Sequence, residues 1–201
     1  MTPEARRELD KRHSEALSLA MNQTVNPNKT YSAKLFRIAV HVRRGDKVAL
    51  HEARPVSASR FIAALKTIAD QLNPPDNKTS SKGDDGVVYL VHLFTDGAEV
   101  LQEFKDALQA PEAAGLFGNS TVHLDFRFAG YRPDKGFDET LVNEAFWQLL
   151  VDLKMMVESD AFLGSQSSNV GVTACYLRVH HRCFNVEHRT LSWHPANSKV
   201  A

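Results

Sequence analysis

Runs of strand length alternate with helical segments along this 201-residue chain, and this alternation constrains the fold most. Four runs have the apolar content and length of buried strands: Leu35–Val42, Val87–Thr95, Thr121–Phe128 and Ala161–Leu163. Apolar residues at helical spacing follow each run, in Ser57–Leu72, from Asp96 through Leu108, from Asp138 through Met156 and in Asn169–Val179. Strands that alternate with helices predict an α/β fold with a parallel sheet and crossover helices on both faces.

Three polar clusters follow strands of this predicted sheet. Arg43–Lys47 follows the first strand, Thr95-Asp96 ends the second, and Gly164–Ser168 follows the fourth. The carboxyl ends of parallel strands meet at one edge of the sheet, where open α/β sheets bind their ligands. The sequence therefore predicts a ligand site built from these three clusters.

The first cluster, in AVHVRRGDKV, has the chemistry of an anion site. The guanidinium groups of Arg43 and Arg44 match phosphate oxygens in shape, and Lys47 adds a further positive charge. One alternative is an exposed loop whose arginines pair with Asp46 and Glu52. An adhesion role for the RGD tripeptide fits less well, because the tripeptide abuts a core strand.

The third cluster, GSQSS, places small hydroxyl residues between a strand and a helix. The N-terminus of a helix offers backbone N–H groups to an anion. The alternative is a simple helix N-cap by Ser167 or Ser168. No phosphate-binding P-loop and no dinucleotide fingerprint is present.

Two carboxylates also have structural alternatives. Asp96 and Glu99 have the spacing of a capping box, so Asp96 also fits the N-cap of the next helix. Asp152 lies near the edge of the apolar stripe on the long helix, where it also fits a solvated surface residue. The histidines lack the spacing of a metal array, so we predict that no metal is bound.

Composition narrows the classes of partner and compartment. The net charge is zero, which gives no global basic field for nucleic acid or for a membrane surface. Two cysteines are too few for a disulfide framework, and Cys175 falls in a predicted helix, so we interpret Cys175 and Cys183 as buried free thiols. Four N-x-[ST] sequons, where chance gives about one, indicate a secretory lumen; they begin at Asn22, Asn28, Asn77 and Asn119.

Taken together, the clusters resemble a known family. HVRRGDK, His41–Lys47, is similar to the HVRR-x-DK motif of the α1,6-fucosyltransferases, a superfamily that includes nodulation and protein O-fucosyltransferases. SDAFLGSQSSNV, Ser159–Val170, resembles a second motif of that family, and Val88 through Asp96 resembles its strand ending in an acidic pair. One departure is Gly97, which stands where the family has the second acid of that pair. The resemblance implies the Rossmann-like, nucleotide-sugar half of a GT-B fold.

The resemblance also implies roles for individual residues. Arg43 and Arg44 would hold the diphosphate of GDP-fucose, with Arg43 also near the fucose, and His41 and Asp152 would read the guanine. The other implied contacts are a nucleoside contact by Asp96, phosphate contacts by Ser167 and Ser168, and bracing of the loop or the diphosphate by Asp46 and Lys47. The general base would be Glu52 or a group on a further domain.

The expected function is therefore transfer of fucose from GDP-fucose, with inversion and without a metal or other cofactor, to a glycan or protein hydroxyl. The alternatives are a GT-B transferase that uses another nucleotide sugar, and a non-catalytic nucleotide-binding module. We expect residues 1–30 to form an N-terminal helix and connector, and residues 31–201 the nucleotide-binding domain. The N-terminus has no signal-peptide core, so a Golgi or endoplasmic reticulum location would need a longer, membrane-anchored chain.

Overall fold

Five parallel strands form one sheet at the centre of the protein. The computed structural model describes residues 1–24, 34–44, 55–74, 86–113, 115–118, 120–128, 139–178, 182–187 and 191. Its strands are β1 (Leu35–Val42), β2 (Val88–Thr95), β3 (Thr121–Phe128), β4 (Ala161–Gly164) and β5 (Cys183–Asn185). Their order in the sheet is β3-β2-β1-β4-β5, which is a Rossmann-like arrangement. The prediction of a parallel α/β fold is confirmed.

The strand order reverses at β1. The chain moves outward from β1 through β2 to β3, then returns to the other side of β1 with β4 and β5. Strands β1 and β2 pair along their whole length, from Leu35 with Val88 to Val42 with Thr95. On the other side of β1, Val40 pairs with Leu163 of β4. Crossover helices on either side of such a reversal leave a crevice at the carboxyl ends of β1 and β4.

Helices cover both faces of the sheet. They are α1 (Pro3–Thr24), α2 (Ala58–Leu72), α3 (Val100–Gln109), α4 (Glu139–Glu158) and α5 (Asn169–Leu177), with a short 3-10 turn at Pro111–Ala113. Helices α2 and α3 pack on one face, where Phe61 and Phe104 meet Ile38 and Val40 of β1 in the larger core. Burial on both faces explains why β1 and β2 are nearly continuous apolar runs.

The opposite face is covered by α4 and α5. Ala39, Phe94 and Phe162 of the sheet contact Met155 of α4 and Ala174 of α5 in a smaller core. Helix α1 lies against α4, where a guanidinium nitrogen of Arg12 is 2.8 Å from a carboxylate oxygen of Glu144. Among the residues described, no helix is both long and apolar enough to cross a membrane. The boundary at residue 30 stays a prediction.

Local side-chain chemistry explains the starts of α2 and α5 but not that of α3. The Ser57 hydroxyl accepts a hydrogen bond from the Arg60 N–H and caps α2, and the Ser168 hydroxyl accepts one from the Gly171 N–H and caps α5. The predicted capping box at Asp96 is wrong. Helix α3 begins at Val100 after Glu99, which makes no side-chain cap bond in the described part of the chain. The carboxylate of Asp96 instead binds Arg43 and Arg44.

The two cysteines form a disulfide, so the interpretation as free thiols is wrong. Cys175 lies in α5 and Cys183 begins β5, with their Cα atoms 5.8 Å apart. The sequence left the tail from His180 ambiguous, and β5 was not predicted. Strand β5 pairs with β4 through only three residues. The disulfide gives this edge strand a second attachment, to helix α5, which precedes it in the chain.

We expect replacement of both cysteines by alanine to lower the free energy of unfolding by about 2–3 kcal/mol. The cysteines are eight residues apart, and the lost cross-link restores that loop's entropy to the unfolded chain. Equilibrium urea denaturation measures the change. Reductant should produce the same loss in the wild type and no loss in the double variant. A wild-type midpoint that ignores reductant contradicts the prediction.

Candidate functional site

The three predicted clusters meet at the carboxyl edge of the sheet. Arg43 and Arg44 directly follow β1, Asp96 directly follows β2, and residues 165–168 join β4 to α5. A cleft beside the end of β1 brings together groups that follow β1 and β4; its lining is Arg43, Arg44, Val56, Phe61, Ser165, Ser167 and Glu187. The cleft therefore lies at the reversal of strand order, between the ends of β1 and β4.

Asp96 holds the end of β1 to the end of β2. One of its carboxylate oxygens accepts a hydrogen bond of 2.7 Å from the Arg44 backbone N–H. The other oxygen lies 2.8 Å from a guanidinium nitrogen of Arg43. Both side chains are partly exposed, so the pair stays in contact with solvent. The predicted contact of Asp96 with a nucleoside stays a prediction.

Arg44 turns away from Arg43, toward α3. Its guanidinium donates to a Glu103 carboxylate oxygen at 2.8 Å. The Arg44 Nη1 atom is buried and has no hydrogen-bond partner among the residues that the structure describes. A Cβ atom at Gly97 would lie 2.9 Å from the Arg44 Cβ. This close approach excludes a side chain where the resembling family has its second acid.

Ser167 stands at the start of α5 and already holds a carboxylate. Its hydroxyl donates to one carboxylate oxygen of Glu187 at 2.7 Å, and its backbone N–H donates to the other at 3.1 Å. The Ser165 hydroxyl lies 3.2 Å from the Ser167 hydroxyl. The turn before α5 thus binds an anionic group of this chain, as expected for a helix N-terminus.

Ser168 has a structural role. Its side chain is 2% exposed and its hydroxyl caps α5, as the helix-cap alternative predicted. The neighbouring Ser165 carbonyl and the Ser168 Cβ both lie close to Gly171, within 3.7 Å of the position that a Cβ there would take. A phosphate contact by Ser168 stays a prediction, and Ser165 and Ser167 are the serines of this turn that line the cleft.

His41 lies beneath the same turn. It is 6% exposed, and a Cβ at Gly171 would be 3.8 Å from its Nδ1. The Nδ1 atom is buried without a hydrogen-bond partner in the described part of the chain. Burial lowers the pKa of His41 to about 4, with Arg43 acting in the same direction and Asp96 opposing. The imidazole is therefore neutral at physiological pH.

Asp152 is a buried residue of α4 that binds Arg127 of β3. One of its oxygens accepts hydrogen bonds from Arg127 Nε at 2.7 Å and from the Gln148 amide at 2.6 Å. At 3% exposure the interpretation as a solvated carboxylate is wrong. Burial raises its pKa, and the charge of Arg127 opposes that rise. Its predicted contact with guanine stays a prediction.

The remaining predicted site residues, Asp46, Lys47 and Glu52, lie outside the described residues. Within the ranges described, no three histidine, cysteine, aspartate or glutamate side chains are grouped as metal ligands. Independence from metal stays a prediction. A second, open groove of about 520 Å³ adjoins the cleft, since Arg44 and Val56 line both; Ser57 and Glu103 also line the groove.

Sequence reasoning missed Glu103 and Glu187 as partners of the cleft. Glu103 lies one turn into α3 on the side facing Arg44, and the helical period of that segment could have placed it there. Glu187 follows a strand of only three residues, which is too short to produce a readable pattern. Arg127 had a visible signal, because polar residues alternate along β3 at His123, Asp125 and Arg127.

A scan against protein-family models finds no match, and a search of curated proteins finds none. The chain is similar to a solved structure of a mutant of Arabidopsis thaliana FUT1 in complex with GDP, with 12% sequence identity and a TM-score of 0.42. That similarity covers 81% of this chain and 31% of the other chain.

We expect the burial of His41 to make folding stability fall as pH falls. Its folded pKa of about 4 lies below the ordinary 6.5, so the unfolded chain takes up the proton first. Stability is complete above about pH 6.5 and falls by up to about 3 kcal/mol toward pH 4. Urea denaturation across this range should show that loss in the wild type and a smaller loss in His41→Gln. The partly exposed His123→Gln is the control and should follow the wild type.

Proposed function

We propose that the cleft binds the diphosphate of a nucleotide sugar. The observation that carries the proposal is the meeting of Arg43 with the start of α5 at the reversal of strand order. Guanidinium groups and helix N-termini are the two protein features that bind phosphate oxygens best. The adjoining groove of about 520 Å³ has the size of small-molecule sites and offers room for the nucleoside.

The finer proposal is that the donor is GDP-fucose and that the chain is the donor-binding half of a GT-B fucosyltransferase. Support comes from the motif resemblance of HVRRGDK and SDAFLGSQSSNV, whose residues end β1 and surround the start of α5. Fucose would pass with inversion to a glycan or protein hydroxyl. Neither a metal nor another cofactor would be required.

The proposed chemistry depends on stabilising a leaving group. The bond between sugar C1 and the β-phosphate oxygen breaks through an oxocarbenium-like transition state, and negative charge grows on the nucleotide. Arg43 and the N–H groups at the start of α5 would stabilise that charge; loss of one such preorganised donor typically costs about 10²–10³ in rate. As the oxygen of the acceptor hydroxyl bonds to C1, Glu52 or a group on a further domain would accept the proton of that hydroxyl.

We further propose that the protein acts in the lumen of the secretory pathway. The Cys175–Cys183 disulfide supports this, because such bonds persist in oxidising compartments and are rare in reducing ones. The sequons point in the same direction. One of them, at Asn22, lies on the exposed surface of α1 near its end.

A second candidate is a GT-B transferase with a different nucleotide sugar. One contact favours it: the carboxylate of Asp152, which the resemblance assigns to guanine, is instead bound by Arg127 and Gln148. A base without the guanine N1–H and N2–H₂ donors would not require that carboxylate. The affinities for UDP and GDP therefore distinguish the two candidates.

We expect the chain to bind GDP about 10–100 times more tightly than Arg43→Ala does. A hydrogen-bonded contact between charged groups contributes about 1.5–3 kcal/mol, which corresponds to that factor. Isothermal titration calorimetry measures the dissociation constants. Arg6→Ala, which removes an exposed arginine of α1, is the matched control and should bind like the wild type.

The same titrations separate the candidates. Equal affinity in wild type and Arg43→Ala, or no heat in either, would falsify the diphosphate site. Tighter binding of UDP than of GDP supports the second candidate. Tight GDP binding without release of fucose from GDP-fucose, across a panel of acceptors, indicates a non-catalytic nucleotide-binding module.

A further inference from the structure

The anion position at the start of α5 is filled by the protein itself. The Glu187 carboxylate accepts from both the hydroxyl and the backbone N–H of Ser167, one to each oxygen. A bound phosphate would accept hydrogen bonds from the same hydroxyl and N–H donors at a helix N-terminus. Glu187 therefore takes the place that the proposed function assigns to a phosphate.

A second observation is a buried imidazole nitrogen beneath this turn. His41 Nδ1 is buried, and no hydrogen-bond partner for it exists among the described residues. It lies against the first turn of α5, near Gly171. Buried polar atoms are normally paired, and an unpaired one at this turn calls for a partner that binds there.

The cleft in this state has no room for a diphosphate. The space enclosed by Arg43, Ser165, Ser167 and Glu187 is about 10 Å³, which is roughly the volume for one water molecule. The Glu187 side chain forms one wall of that space. A diphosphate can reach Ser167 only after this side chain has moved.

The backbone around Glu187 is held, so the movement is confined to its side chain. The Glu187 N–H donates to the Asn185 side chain at 2.9 Å, and its carbonyl accepts from Arg60 at 3.0 Å. The Val186 N–H donates to the Gly164 carbonyl at 2.9 Å. The disulfide at Cys183 fixes the start of the same strand. Rotation about the side-chain bonds of Glu187 is then the smallest change that empties the site.

Charge also favours displacement of Glu187 when an anion arrives. Among the described residues, Arg43 is paired with the carboxylate of Asp96 and Arg44 with that of Glu103. Glu187 adds a third carboxylate to this edge. A diphosphate that entered beside it would meet like charge, whereas one that replaced it would meet Arg43 and the positive end of α5.

We propose that Glu187 is an internal competitor for the phosphate position at Ser167, and that nucleotide binding requires the exchange of its carboxylate for a phosphate. The inference rests on the proposed function. Glu187 thereby sets the affinity of the site, and it keeps the site closed until a ligand with enough negative charge displaces it. A neutral sugar or nucleoside would not open it.

Calorimetric titration of Glu187→Gln with GDP and with inorganic pyrophosphate tests the exchange. The amide keeps the size of the side chain but weakens its hold on Ser167, since hydrogen bonds to an ionised acceptor are about twice as strong. We expect both ligands to bind about tenfold more tightly than to the wild type. Glu112→Gln, which removes an exposed carboxylate on the 3-10 turn, should bind like the wild type.

The outcomes separate this inference from the proposed function. GDP binding that is equal or weaker in Glu187→Gln, in a variant with unchanged unfolding, overturns the competitor role and leaves the nucleotide site standing. If pyrophosphate binds Glu187→Gln more tightly than it binds the wild type, and GDP binds no more tightly than pyrophosphate, the competitor role of Glu187 is supported and the nucleotide assignment is overturned. Absence of binding by either ligand to both proteins overturns both.

A second measurement avoids dependence on the variant's folding. In a crystal structure of the wild type with pyrophosphate, we expect phosphate oxygens at the Ser167 hydroxyl and N–H, with the Glu187 carboxylate rotated away. Retention of both Glu187 hydrogen bonds, with pyrophosphate bound elsewhere, overturns the proposal. A merely stabilising contact of Glu187 with the dipole of α5 predicts that second result.

Discussion

The carboxylate of Asp96 determines the arrangement of the whole carboxyl edge. It binds the backbone N–H of Arg44 and the guanidinium of Arg43 at once, so the chain leaving β1 is fixed to the chain leaving β2. The two arginines are thereby separated: Arg43 faces the cleft and Arg44 packs toward Glu103 of α3. Gly97 permits this, because any Cβ there would collide with Arg44. The two arginines both line the cleft, but different carboxylates hold them: Asp96 holds Arg43 and Glu103 holds Arg44.

The two faces of the sheet differ in what stabilises them. The face under α2 and α3 is a continuous apolar core. The face under α4 has a smaller apolar core and also carries buried polar pairs, His92 with Asp125 and Arg127 with Asp152. A buried charge without a partner is costly, whereas a paired one fixes the position of the elements that carry it. The carboxylate of Asp152 is therefore engaged as the partner of Arg127. Among the residue roles that the family resemblance implies, the contact of Asp152 with a nucleotide base has the least structural support.

Burial explains which parts of the fold could be predicted from the sequence. Strands β1 and β2 are covered on both faces, so their apolar runs gave bounds within one residue of those observed. Ser57 and Ser168 could be predicted as caps from local chemistry. The helical period of α3 and the alternation along β3 could assign Glu103 and Arg127 to a face of their elements, but the partner of a charged side chain is set by tertiary proximity. Glu187 had no local signal at all. The disulfide was missed for the same reason: β5, with three residues, is defined by its neighbour β4 and by little in its own sequence.

The charges at the edge show how such a site can be selective. The two arginines that line the cleft already face carboxylates, Arg43 facing Asp96 and Arg44 facing Glu103, and Ser167 holds Glu187. A ligand thus competes with fixed carboxylates as well as with water. A carboxylate or a neutral sugar gains little by such an exchange, because it offers the cleft no more charge than it removes. A diphosphate carries more negative charge than one carboxylate, and it alone gains from replacing Glu187 while Asp96 keeps Arg43 in position. In the proposed site, selectivity for diphosphates would follow from the carboxylate that must be displaced, in addition to the groups that are contacted.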